Sequence, residues 1–153
     1  MLNNITFDTL FNDSNTNTKA GEVHDYCNIV SAILHMGRSN KYSIMYGVTT
    51  EDNKSFVIYS ALTDKAAEFT VKRMVQILTK SVGKDKAEAI FNKCNDESVE
   101  SYEDLAKELV NKVDKSLHTS PVRVYVDRVK EGEFWNVKWY FSKPDSAAAN
   151  IQV

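Results

Sequence analysis

The sequence predicts an α+β chain, mainly β, with five strands and a helical insertion between the third and the fourth. Three observations carry that reading. Tyr42, Ile44, Tyr46 and Val48 alternate with Lys41, Ser43, Met45 and Gly47, a period of two. Ala67, Val71, Met74, Val75, Leu78 and Val82 then recur at steps of three and four, ending at Gly83, where a helix-terminating glycine belongs. Finally, Val122 to Val129 and Phe134 to Phe141 are two strand-like runs around the charged turn Lys130-Glu131-Gly132-Glu133, and they carry both tryptophans.

Taken in order, residues 1–20 are rich in Asn, Thr and Asp and read as a flexible N-terminal arm. Phe7, Leu10 and Phe11 are its anchors, and Asn12 to Thr18 is loop. The domain proper spans residues 21–144. Val23 to Met36 is a bent strand, with a helical turn as the alternative at Ala32 to Met36. Gly37-Arg38-Ser39-Asn40 is a turn, Glu51 to Lys54 a hairpin loop, and Phe56, Ile58 and Leu62 continue on the third strand. A second helix is short, Ala87 to Cys94. A third starts at Ser101-x-x-Asp104 and carries Leu105, Leu109, Val110 and Val113 on one stripe. Pro144 ends the sheet, and residues 145–153 form a small-residue tail. Five strands with a helix between the third and fourth is the order of an OB-like Greek-key barrel. An α+β sandwich and a split β-α-β fold are the alternatives.

Composition narrows the function classes. No apolar run approaches the roughly 20 residues of a membrane helix. Met1-Leu2-Asn3-Asn4 lacks the basic start and apolar core of a signal peptide, so a cytoplasmic location is expected. Cys27 and Cys94 are isolated and read as buried thiols in a reducing compartment. The net charge of −2 is unevenly distributed. Residues 38–80 and 119–143, which hold most of the strands, are net +3 and +2, whereas residues 84–116 are net −3.

Catalytic readings find little support. His24, His35 and His118 fall in separate elements, and no pair has ligand spacing. His24 near Cys27 suggests a Cys–His nucleophile only weakly, because neighbours on a strand face opposite ways. Asp96, Glu97, Glu100, Glu103 and Asp104 suit a solvated helix start better than a cation site. No catalytic residue, metal or cofactor is expected. Aromatics interleaved with cations on a sheet point instead to nucleic acid, since flat rings stack bases and cations hold phosphates. Alternation turns Arg123, Tyr125 and Asp127 outward in the fourth strand, and Phe134, Asn136, Lys138 and Tyr140 outward in the fifth. Val122, Val124 and Val126 then face the core, with Trp135, Val137, Trp139 and Phe141 on the interior face of the fifth strand. Tyr59 is a third stacking platform, and Lys41, Arg123, Arg128 and Lys138 are the phosphate contacts. A bulge in the fifth strand would exchange its faces and present Trp135 and Trp139 instead.

The run of elements resembles the small single-stranded-DNA-binding proteins of tailed phages. The resemblance rests on Phe7-Asp8 and the polar spacer Asn12 to Thr18, on Gly21 before the first strand, and on Val122-x-Val124-x-Val126. It continues through Gly132 in the charged turn and Asn136-Val137 in the last strand. The chain departs from that pattern in a less basic second strand and in a tail, Ser146 to Val153, without an acidic, aromatic-tipped end. The resemblance implies an OB-fold binder of single-stranded DNA, without catalysis or cofactor. It would act in phage replication or recombination in the host cytoplasm, with phage or host replication proteins as further partners. Exposed edge strands allow a homo-oligomer. The competing reading is a small phage protein-interaction module that inhibits a host enzyme or defence protein; a virion or assembly component is the third.

Overall fold

Alternating burial builds the sheet. In the computed structural model, which describes residues 1–2, 5–12, 22–37, 40–113, 117–132 and 134–142, the strands are β1 (Glu22–Met36), β2 (Tyr42–Thr49), β3 (Ser55–Ala61), β4 (Val122–Glu131) and β5 (Phe134–Ser142). They form one open antiparallel sheet in the order β3-β2-β1-β4-β5. Ile44, Tyr46 and Val48 of β2, Ile58 and Ser60 of β3, and Val122, Val124 and Val126 of β4 are buried on one face. The helices α2 (Ala67–Val82), α3 (Lys84–Cys94) and α4 (Tyr102–Val113) follow β3 in the chain. Their stripes, Val71, Met74, Val75 and Leu78 on α2 and Leu105, Leu109 and Val110 on α4, join the strands' inner residues in one core. No helix among the described residues is long and apolar enough to cross a membrane.

The segment expected as an N-terminal arm contains a short helix, α1 (Phe7–Asn12). Phe7 and Leu10 are core residues, Phe7 meets Phe91 edge to face, and Asp8 lies 3.7 Å from Lys84 Nζ. Most of the expected Asn12–Thr18 loop lies outside the described residues, as do Gly21, Arg38, Ser39, Glu133 and the tail from residue 143 onward.

The bend of β1 has a local cause. Its pairing with β4 shifts register between His24 and Cys27, where Tyr26 takes a positive φ of 53°, and resumes with Cys27 opposite Val122. Such a bulge in a bulky residue kinks a strand and increases its twist. A second shift lies between Ile29 and Ser31 on the β2 side. Buried Thr119 repairs the interruption: its hydroxyl accepts the Ile29 N–H at 2.9 Å, and its own N–H reaches the Ile29 carbonyl at 3.0 Å. Ala32 to Met36 continues as strand, so the helical-turn alternative falls away. Ser31 fills the second shift, its Oγ accepting the Gly47 N–H at 3.1 Å. A Cβ on Gly47 would stand 2.4 Å from that oxygen.

Helix ends follow their sequence signals. Gly83, with φ of 91°, closes α2 by giving its N–H to Thr79 O at 2.9 Å, a conformation that L side chains rarely adopt. Ser101 caps α4 through its hydroxyl to the Asp104 N–H at 3.1 Å. Cys27 and Cys94 are both free and fully buried, and burial pushes each thiol up to about 11.

Two outcomes follow from this packing. Gly47→Ala displaces Ser31 and strands a backbone N–H, which lowers unfolding free energy by about 1–3 kcal/mol in urea titration. The buried thiols stay protonated while an unfolded chain would release its protons from about pH 9. Folding stability therefore falls as pH rises from about 9 to 11, and a double Cys→Ser or Cys→Ala variant should flatten that part of the pH–Tm curve.

Candidate nucleic-acid interface

β3 and β5 are the two edges of the sheet, yet they stand close together. Trp139 of β5, only 2% exposed, donates its indole N–H to the Tyr59 carbonyl of β3 at 2.7 Å. Its ring meets Tyr46 edge to face at 5.6 Å and lies 6.1 Å from Phe141. A large aromatic with one polar group settles at such a seam because the ring fills the core while the N–H still needs an acceptor. Thr70 of α2 donates its hydroxyl to the next outward carbonyl of β3, that of Ala61, and lies 2.9 Å from Ser60 Oγ.

Above this seam opens a cleft of about 530 Å³ between the two edge strands and α2. Tyr59, exposed at 46%, stands on one rim, with Lys138 and Tyr140 on the other. Phe69 and Arg73, one helical turn apart on α2, form the wall between them. The Arg73 guanidinium lies 3.7 Å from the centre of the Trp139 ring and 4.5 Å from that of Phe69. It gives one N–H to the Trp139 carbonyl at 2.8 Å and another to Ser60 Oγ at 3.3 Å. Burial lowers its pKa to about 10, so it remains a cation at neutral pH; the hydroxyls of Tyr46 and Tyr140 act in the opposite direction.

The sequence-derived candidates are distributed unevenly. Tyr59, Lys138 and Tyr140 converge on the cleft. Tyr125 pairs with Tyr140 across β4 and β5 and extends the aromatic surface. Arg123 faces outward on β4, but both its Nε and Nη2 donate to the Asp25 carboxylate, and its Nη1 donates to the Tyr125 hydroxyl at 3.1 Å. That carboxylate and hydroxyl hold its pKa well above the usual guanidinium value, and most of its charge is spent inside the protein. Lys41 is exposed beside a separate hollow with Tyr42, Asp64 and Glu103, away from the cleft. The side chains of Arg128 and Phe134, and those of Trp135 and Asn136, lie outside the described residues. Val137, expected in the interior, is 45% exposed, because at that point the edge strand has passed the core and borders the cleft.

Arg73 and Phe69 are the functional candidates that strand patterning does not find. In the sequence Arg73 stands with Lys65, Lys72 and Lys80 as a basic helix face that reads as solvated or as an extension of a DNA path, and Phe69 is marked only by its four-residue spacing from Arg73. Among the described residues no group of three His, Cys, Asp or Glu side chains converges as metal ligands would. The cleft thus offers flat rings on its rims, two cations and no carboxylate, a combination suited to a ligand with a π-face and a negative charge.

No protein-family model matches the chain. No curated protein matches it either.

Trp139→Phe keeps most of the ring and removes the N–H, leaving the Tyr59 carbonyl without its partner at the seam. The expected loss is about 1–2 kcal/mol of unfolding free energy, read from urea midpoints at unchanged m-value.

Proposed function

We propose that this chain is a non-catalytic, largely sequence-independent single-stranded-DNA-binding protein acting in phage replication or recombination. The carrying observation is the cleft between β3 and β5, where Tyr59, Tyr140 and Phe69 stand around Arg73 and Lys138 with no carboxylate among the lining residues. Bases would stack on the tyrosines, and phosphates would meet the two cations. Stacking tolerates any base, which accounts for binding without sequence preference. The strand order also favours an OB-like barrel: β1 bends at its bulge and pairs with both β2 and β4. Its last seam, between β3 and β5, would be closed by the Trp139 side chain in place of a backbone ladder. The resemblance to phage single-strand binders supplies the biological setting.

One surface favours the competing reading of a protein-interaction module directed at a host enzyme or defence protein. Across β1, β2 and β3 the outward residues Ser31, Ile33 and His35, then Gly47, Met45 and Ser43, then Val57, Tyr59 and Ala61, form a grid without a formal charge at neutral His. Ile33, Val57 and Tyr59 are exposed on it, and an uncharged apolar face of this kind is a common protein-docking surface.

Titration with oligo-dT at low and physiological salt separates the two. Binding should saturate at a fixed number of nucleotides per protein and weaken as salt rises, because phosphate contacts release counterions. Tyr59→Ala with Tyr140→Ala should cost about 1–3 kcal/mol for each base unstacked, with the fold intact by circular dichroism. Absence of binding by both fluorescence and gel shift would transfer the case to a protein partner.

A further inference from the structure

Among the described residues Arg73 is a cation without an anion. Among the described residues no carboxylate pairs with it, and the charged or polar groups that bear on it electrostatically are the hydroxyls of Tyr46 and Tyr140. A guanidinium has five N–H donors in a planar fork, and two are used, on the Trp139 carbonyl and Ser60 Oγ. Contact with the Trp139 and Phe69 rings orients the plane without neutralising its charge. Keeping an unpaired cation half-buried is costly, and an apolar side chain would fill the same position on α2 more cheaply. Lys138 stands on the same cleft and adds a second positive charge. The space, about 530 Å³, is of the size that encloses one small ligand.

We propose that the cleft between the β3 and β5 edges is a phosphate-accepting subsite sized for a single nucleotide, with Arg73 as the anion receptor. Lys138 is the second cation, and Tyr59 and Tyr140 flank the base. The assignment rests on the nucleic-acid reading above and sharpens it: one nucleotide of the bound strand enters the cleft while the rest lies across the sheet. The planar fork presents parallel donors to phosphate oxygens, which a lysine at this position would not do.

The test uses the full chain and three probes: dTMP, thymidine and inorganic phosphate. Each is followed by the side-chain Nε–H resonance of Arg73 and by tryptophan fluorescence, with a ten-nucleotide oligo-dT titrated in parallel. dTMP should shift the Arg73 resonance and bind about tenfold or more tighter than thymidine. Arg73→Met should abolish that preference, and Lys138→Ala, at an exposed position, should weaken dTMP severalfold without touching the seam. Circular dichroism of Arg73→Met checks its fold, and the wild-type resonance decides the matter even if that variant unfolds. Equal affinity for dTMP and thymidine, or an Arg73 resonance that no probe moves, would overturn the subsite; oligo-dT binding that persists would then leave the single-strand reading standing. Inorganic phosphate binding as tightly as dTMP would overturn the nucleotide assignment and make free phosphate the ligand. If dTMP binds as expected but oligo-dT binds no tighter, the subsite holds and the single-strand reading falls.

Discussion

Trp139 is the residue on which the geometry of the cleft depends. An open sheet has two free edges, and nothing in strand pairing alone decides how far apart they lie. Here the indole reaches from β5 across the inner face, seats against Tyr46 and delivers its N–H to the Tyr59 carbonyl. One side chain thereby holds the edges at a fixed separation. The same ring supports the Arg73 guanidinium, whose hydrogen bond returns to the Trp139 carbonyl. Core packing, edge spacing and the placement of a charge are coupled through one residue, as expected where polar groups share a low-dielectric seam.

The two best-placed arginines illustrate how context sets the use of a cation. Arg123 lies on the outer sheet face, where an incoming strand would be sought, but it is committed to Asp25 and Tyr125. It stiffens the bent half of β1 against β4. Arg73 lies beside the apolar stripe of α2, at a position open to solvent by periodicity alone, yet its neighbours are rings, a hydroxyl and a carbonyl. Net charge therefore says less about the binding face than which cations lack an internal partner.

Much of the architecture is legible from side-chain periodicity. The alternation from Ile44 to Val48, the Val122, Val124 and Val126 series and the stripe on α2 from Ala67 to Leu78 each appear as buried faces, while Val82 at the end of that stripe is exposed; a half-buried strand or helix must repeat its apolar residues with its own period. Gly83 and Ser101 mark helix ends through local hydrogen bonds that need no tertiary information. The cleft is different. It is made by residues 59, 69, 73 and 138–140, which meet only once the edges of the sheet are brought together. The fate of Arg123 depends on Asp25, ninety-eight positions away. Such pairings arise from register and curvature, and a periodic pattern encodes neither.

The capping of outward carbonyls on the edge strands has a further consequence. Tyr59 O is taken by an indole, Ala61 O by the Thr70 hydroxyl, and Trp139 O by a guanidinium. An unpaired strand normally offers its backbone as a template for another chain, the route to domain exchange and fibrillar assembly. Here a newcomer pairing along the second half of β3 would have to displace two side chains already bonded there, both rooted in the core. Among the described residues of β3, the stretch from Ser55 to Val57 carries no such cap, so backbone addition by another chain is disfavoured along the half of the strand that borders the seam and not along the other.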